Sequence, residues 1–454
     1  MVVIFAIAVG LWAGISSVAM MRGTLIQRVD SAISNEVSSL QLHRVEFLDN
    51  NETDYTIANA DSLMEIIGAY PGVKAVSKRL KTEAMVNSGH GPRGALVLGV
   101  EPEKEKSVTK IFECVADSNG TYFGVKRRNP AVISKRLAEK LKVHLHSKIQ
   151  IDAVSKNGQP VSAVFRVVGI YNTVNAVFDE MNVFVKYDDL ARLLGFGKTE
   201  AHEIAVLTKD FMDTDSLQSA LRQRFTRYKV DDNSISKLNV SGLKPYALSF
   251  LKTLKNKEFT GNEIEGLLAK NIKKEDLEDV RKIVLADCET GLNVTSWQKL
   301  APDLELTNQW IDFMLYIFVG IILLALGFGI INTMLMVVLE RVKELGMLMA
   351  VGMNRKRIYS MVMMETVMLS LAGGVVGIII SLATIQWFSV TGFDLSFMSE
   401  GLNSLGYANV IYPEIDTASY IKVVVMVIVT GILAALYPAW KAISLNPAEA
   451  VRSE

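Results

Sequence analysis

Four stretches of the chain are apolar for long enough to matter, and polar residues nearly vanish from them. Residues 2–21 carry no charge. Residues 313–339 follow Asp312 and meet none until Glu340. Residues 358–390 hold only Glu365, and residues 420–440 only Lys422, close to one edge. About 20 mostly apolar residues suffice for a helix to cross a bilayer, and a lysine near a span's end can reach the headgroups. The pattern therefore predicts four transmembrane helices. Read as a leader peptide, residues 2–21 would need a basic start and a small-residue cleavage site. The chain begins apolar at once, so a span is expected, entered abruptly as if a cytoplasmic stretch preceded it.

Between the first two spans the pattern changes. Residues 22–48 read as a helix continuing from the first span. Short apolar stretches then predict strands at 95–100, 148–154, 161–170, 182–185 and 203–207. Lys156-Asn157-Gly158-Gln159 is a hairpin turn signal. Helical spacing falls at 131–141 and 187–194, which makes the region α+β. Residues 245–285 are rich in Lys, Glu and Leu with few strand formers, and read as a small helical insert. Residues 294–309 are expected to lead as a helix into the second span. The expected fold class is thus a polytopic α-helical membrane protein of four spans, with a large α+β extracytoplasmic domain between spans 1 and 2. Its expected segments are 1–21 (span), 22–309 (outer domain), 310–339 (span), 340–357 (cytoplasmic helix and basic turn), 358–390 (span), 391–419 (outer loop), 420–440 (span) and 441–454 (cytoplasmic tail).

Charge sets the orientation. The 340–357 loop holds Arg341, Lys343, Arg355, Lys356 and Arg357; the 391–419 loop holds no Lys or Arg, and the tail holds Lys441 and Arg452. Basic short loops stay cytoplasmic, so residues 22–309 lie outside, although Arg22 and Arg28 run against the rule. Across all 454 residues Lys+Arg and Asp+Glu both total 48. With no basic excess and no dense basic patch in the sequence, a nucleic-acid partner is not expected. Cys114 and Cys288 both fall in the outer domain, where a disulfide is open to them; two unpaired thiols are the simpler expectation.

Little in the chain reads as catalytic chemistry. Gly195-Phe196-Gly197-Lys198-Thr199 has the end of a P-loop, but Arg192 stands where the first glycine belongs and a helix precedes it instead of a strand. A helix C-cap is the better reading, so ATP hydrolysis by this chain is not expected. His144 and His146 on a strand would share a face, yet no third ligand is near for zinc. Glu365 sits about two turns into the third span. Intramembrane carboxylates are costly and usually partnered; a packing switch and a residue reaching the basic loop remain equal readings. Gly373 and Gly377 form a GxxxG, which lets helices approach closely. The cytoplasmic segment Glu340-Arg341-Val342-Lys343-Glu344-Leu345-Gly346-Met347-Leu348-Met349-Ala350-Val351-Gly352 places Val342, Leu345, Leu348 and Met349 on one helical face. Such a helix can lie on the membrane or enter a groove on a partner.

This segment, ERVKELGMLMAVGMNRKRI, resembles the cytoplasmic signature of FtsX/MacB-type ABC transporter permeases, E-R-x-x-E-I-G-x-x-x-A-x-G followed by a basic turn. Glu340, Arg341, Glu344, Gly346, Ala350 and Gly352 match it, and Leu345 replaces the usual isoleucine. Tyr437-Pro438-Ala439 and the ending Leu445-Asn446-Pro447-Ala448-Glu449-Ala450-Val451-Arg452 fit as well. Residues 132–149 and 167–194 look like the family's periplasmic core domain. The layout most resembles the lipoprotein-releasing (LolC/LolE) branch, from which the lysine-rich 245–285 insert and the lack of a basic helix before the first span depart.

The resemblance implies a permease of the bacterial inner membrane that transmits the motion of a separate cytoplasmic ABC ATPase dimer to its periplasmic domain. Glu340, Arg341, Lys343, Glu344, Leu345, Gly346, Met347, Ala350, Gly352 and Arg355 would form the ATPase-coupling site, with Glu365, Gly373 and Gly377 in membrane packing. It implies no cofactor in this chain, ATP and magnesium on the ATPase, and a second permease copy. Membrane lipid and a periplasmic lipoprotein carrier would be the other partners. Lipoprotein release is the implied function. Export of peptides, drugs or lipids, or regulation of a cell-wall hydrolase, are the alternatives.

Overall fold

The computed structural model describes residues 2–50, 54–124, 127–210, 214–229, 245–255, 257–273, 276–277, 280–281, 284 and 289–443. It divides into two compact units, each treated by itself: Met1–Arg28 with Asp303–Leu402 and Tyr407–Glu454, and Val29–Pro302 with Asn403–Gly406.

The first unit holds four helices long and apolar enough to cross a membrane. They are Val2–Ala32, Pro302–Glu340, Arg355–Thr391 and Thr417–Ile443. Small residues set the packing between them. An added Cβ at Gly373 would lie 2.8 Å from the Ile4 carbonyl oxygen, and one at Gly377 2.9 Å from that of Ala8. The GxxxG of the third span therefore meets the backbone of the first, the close approach that small residues permit. Trp12 Nε1 donates to Thr384 Oγ1 at 3.0 Å on the same pair of helices. Gly431 of the fourth span packs on Ser370 of the third. At the outer end Arg22, one of the two residues that run against the charge rule, pairs with Asp416 at 2.7 Å.

The second unit is built on strands β1 (Leu40–Arg44), β2 (Val73–Asn87), β3 (Pro92–Val100), β4 (Val115–Gly120), β5 (Pro130–Ser134), β6 (Lys148–Val154), β7 (Pro160–Tyr171), β8 (Asn182–Lys186), β9 (Glu203–Thr208), β10 (Thr226–Lys229), β11 (Glu258–Thr260) and β12 (Glu289–Ser296). Six of them close a ring: β2 pairs with β3, β3 with β8, β8 with β5, β5 with β7, β7 with β6, and β6 with the end of β2. Alternate residues fill the interior, as a small barrel requires. Leu80, Ala84 and Val86 point inward from β2, Ile149, Ile151 and Ala153 from β6, Phe165 and Val167 from β7. Leu137 and Leu141 of the helix Lys135–Leu141, and Leu190 and Leu194 of the helix Tyr187–Leu194, complete that core.

The first half of β2 leaves the ring and pairs with β9, from which the sheet continues through β1, β12, β10 and β11. The helices Ala60–Gly68 and Asp215–Phe225 cover this open part, burying Met64, Ile67, Leu217 and Leu221 against Leu40, Leu42, Ile204 and Val206.

Several expected elements are corrected. The helix expected through residue 48 ends in a π-turn at Ile33–Val37, where the Ser38 N–H reaches the Ile33 carbonyl. Ser38 (φ 64°) turns the chain into β1, whose Leu40 and Leu42 alternate into the core. Residues 131–141 were expected to be helical, but Pro130–Ser134 is a wholly buried strand between β7 and β8. The helix starts only after Ser134, whose hydroxyl accepts from the Leu137 N–H. Val294–Ser296 belong to β12, not to a helix. The 245–285 region contains helices Pro245–Thr253 and Gly261–Asn271, but also the strand β11, paired with β10. His144 and His146 stand in the turn before β6, with His146 at φ 69°, not on a strand. Gly195, at φ 83°, caps the helix Tyr187–Leu194 as expected. Cys114 is a free thiol that burial raises to about 11; Cys288 and the tail beyond residue 443 lie outside the described residues.

Candidate functional site

The site suggested by the sequence lies between the second and third spans. The span helix stops at Glu340 because Arg341 leaves helical geometry (φ −100°, ψ 17°), and a new helix, Val342–Ala350, begins at once. Its far end is a Schellman motif. The Gly352 N–H bonds the Met349 carbonyl at 3.1 Å, and the Met353 N–H bonds that of Leu348 at 3.0 Å. The motif needs a left-handed residue, which Gly352 (φ 97°) supplies. Asn354 then caps the third span helix, accepting from the Lys356 N–H at 3.1 Å.

The short helix has two faces. Leu345 is buried against Val338, Ile358, Val362, Ala439 and Ala442, which belong to the second, third and fourth span helices. Gly346 is buried beside it. Glu340, Arg341, Lys343, Glu344, Met347, Ala350, Gly352 and Arg355 are exposed, with Met347 at 59% and Val351 at 84%. The coupling residues named by resemblance are thus split. Eight of them share the free side of the turn and helix, whereas Leu345 packs on the spans and Gly346 is buried beside it. Glu365 reaches Arg341 at 3.4 Å, both partly exposed, so the carboxylate faces the basic loop. Gly373 and Gly377 lie elsewhere, against the first span.

A second polar constellation, which the sequence did not reveal, sits in the other unit where β2 passes from barrel to open sheet. Arg79 is register partner to Val100 on β3 and to Glu203 on β9. Its guanidinium binds Glu105 at 2.7 Å and Glu203 at 2.8 Å, with all three side chains buried. Ser77 Oγ adds a 2.8 Å bond to Glu105, and Lys81 pairs with Glu203. Burial opposes ionisation of Glu203, but Lys81 and Arg79 outweigh it and hold its pKa below the usual range. Burial drives the His43 pKa down to about 4 against the pull of Glu203, and Lys81 adds to the fall. Lys78, 2% exposed, meets Asp61 at 2.8 Å and Glu101 at 3.1 Å. Every buried charge here is answered by an opposite one, as burial demands. Among the described residues no group of three or more His, Cys, Asp or Glu side chains could hold a metal ion.

Two family models match consecutive parts of the chain. Residues 1–224 match the MacB-like periplasmic core domain, and residues 316–447 match the FtsX-like permease C-terminal domain. The chain therefore carries the domains of an FtsX/MacB-type permease. It is a multi-pass inner-membrane protein whose large periplasmic domain separates the first span from the other three.

The macrolide export ATP-binding/permease protein MacB of Bdellovibrio bacteriovorus is 32% identical over 164 residues, which are 36% of this chain and 23% of that protein. The pyoverdine export ATP-binding/permease protein PvdT of Pseudomonas syringae pv. tomato is 31% identical over 148 residues, 33% of this chain and 20% of that protein. The matches thus span about a fifth of these relatives' own lengths. The crystal structure of the periplasmic region of MacB from Actinobacillus actinomycetemcomitans aligns over 53% of this chain and 97% of its own, at 12% identity and a TM-score of 0.27.

Proposed function

We propose that this chain is the permease of an ABC transporter, moved by an ATPase that lies outside this sequence and bears on the exposed face of the helix Val342–Ala350. The observation that carries the reading is the division of that helix. Leu345 fixes one face to three span helices with Gly346 buried beside it, while Lys343, Glu344, Met347 and Ala350 leave the other exposed. A helix held so firmly moves with the spans it touches, because close-packed interiors transmit displacement. Work done on one side of the membrane then appears on the other as a coupling free energy between sites. ATP and magnesium would belong to the ATPase, and a second permease copy would complete the pair.

For cargo, an apolar cavity of about 430 Å³ at the outer ends of the first two spans favours an acylated substrate. Met21, Leu25, Leu306, Trp310 and Met314 line it. Release of lipoproteins from the inner membrane fits such a cavity. The similarity to macrolide and pyoverdine export proteins favours a second reading, export of smaller amphiphiles.

Two experiments test these readings. The tagged chain is purified with and without Met347→Asp. The ATPase should co-purify with the first and be lost from the second; equal recovery overturns the docking face. Depletion of the chain then decides the cargo. Lipoproteins retained in the inner membrane support release. Unchanged lipoprotein sorting with new sensitivity to amphiphilic drugs supports export.

A further inference from the structure

The periplasmic barrel carries a concentration of positive charge that the coupling mechanism does not use. A groove of about 660 Å³ on its outer surface is lined by Arg127, Arg128, Asn129, Lys148, Val164 and Arg166. Lys148 and Arg166 are register partners on β6 and β7, so two cations stand directly opposite each other. Like charges in that position destabilise a sheet. Arg127 and Arg128 come to the same place from the loop before β5. Asn129, at φ 48°, holds that loop to β7 by two bonds: its carbonyl accepts from the Arg166 N–H at 2.9 Å, and its Nδ2 donates to the Val164 carbonyl at 3.1 Å. Among the described residues none of the four cations makes an ion pair; the Arg166 guanidinium donates to the His146 carbonyl, at 3.2 Å. Asp189 feels Arg128, but its carboxylate is tied to Arg192 at 3.4 Å.

Four cations held together without an ion pair raise each other's electrostatic energy, and an anion bound among them relieves it. Three are arginines, whose planar fork matches phosphate oxygens better than a point charge does. We propose that this groove binds a phosphate-bearing anion. The guanidinium groups of Arg127, Arg128 and Arg166 and the Lys148 ammonium donate to its oxygens, and the half-exposed Val164 side chain offers an apolar shoulder beside them. The phosphate can come from a lipid headgroup or from a soluble anion, and the test distinguishes the two.

The full chain in detergent is titrated calorimetrically with inorganic pyrophosphate, with dihexanoyl-phosphatidylglycerol below its micelle concentration, and with the phosphatidylcholine equivalent. Saturable binding of at least one anionic probe is expected, weakening as salt rises. The variant R127Q/R128Q should raise the Kd at least tenfold, Lys148→Gln should raise it several-fold, and Lys74→Gln on another strand should leave it unchanged. Tighter binding of the anionic lipid than of pyrophosphate assigns the site to a headgroup; the reverse order assigns it to a soluble phosphate. Absence of saturable binding, or equal binding by R127Q/R128Q and Lys148→Gln, overturns the proposal.

Discussion

Arg341 and Glu365 meet at 3.4 Å where the turn after the second span faces the third span helix. The contact places the lone carboxylate of the third span on the basic turn, so of its two sequence readings the pairing is the one observed. Both side chains are partly exposed, and such pairs contribute about 0–1 kcal/mol. Glu365→Gln should therefore change the thermal stability of the detergent-solubilised chain by no more than about 1 kcal/mol, and Arg341→Gln/Glu365→Gln by no more than the larger single effect. A loss of several kcal/mol from either would mean that the pair supports the membrane unit itself.

The contact between the first and third spans is less forgiving. A methyl group at Gly377 would sit 2.9 Å from the Ala8 carbonyl oxygen and 3.0 Å from the Ala8 Cα, so backbone must shift. Gly377→Ala should cost about 1–3 kcal/mol, the range for overpacking. Gly374, with nothing within 4 Å, supplies the control: Gly374→Ala should be neutral or mildly stabilising. Thermal unfolding in detergent distinguishes them, and equal midpoints would contradict the packing.

The buried ion triad makes a sharper demand. Arg79→Ala strands Glu105 and Glu203 without their shared cation, and breaking a buried pair in this way costs about 3–5 kcal/mol. Chemical denaturation of the purified chain, followed by a probe in the periplasmic domain, should show that loss. A shift below about 1 kcal/mol would mean that water reaches the carboxylates.

His43 gives the periplasmic domain a pH response. Its folded pKa of about 4 lies below the ordinary 6.5, so the unfolded chain binds this proton first. Stability is whole above pH 6.5 and falls as pH drops towards 4, by up to roughly 3 kcal/mol for a shift of this size. His43→Gln should flatten the profile in that window while keeping a hydrogen-bonding side chain near Thr295. A wild-type profile that stays level between pH 6.5 and 4 would contradict the burial argument.

How far the sequence reaches is set by the range of the physics involved. Span length and strand alternation are local, so residues 148–154 and 187–194 were legible to the residue, and each of the four spans was legible to its core. The strand β1 was not, because two serines and a five-residue alternation cannot compete with the helical run before them until β9 and β12 supply partners. Pro130–Ser134 was masked by the helix that follows it. The Glu340–Gly352 signature was visible, but the division of its residues into buried and exposed was not: Gly346 reads as part of an exposed face until the fourth span closes over Leu345 beside it. Gly346→Trp would therefore disturb the attachment of the helix as well as any contact beyond it, and Met347 is the cleaner probe. The basic groove was not legible because Lys148 and Arg166 meet only through the pairing of β6 with β7, and Arg127 joins them only through the loop before β5.

The central claim is that the free face of Val342–Ala350 is cytoplasmic and receives the ATPase. The most direct measurement is the labelling rate of Met347→Cys by a membrane-impermeant maleimide. Intact cells should show no labelling at this position, while Val164→Cys on the periplasmic barrel reacts once the outer membrane is permeabilised. Inverted inner-membrane vesicles should label Met347→Cys quickly, and more slowly when the ATPase is present. Labelling of Met347→Cys from the periplasmic side, or a rate in vesicles that the ATPase leaves unchanged, would contradict the account.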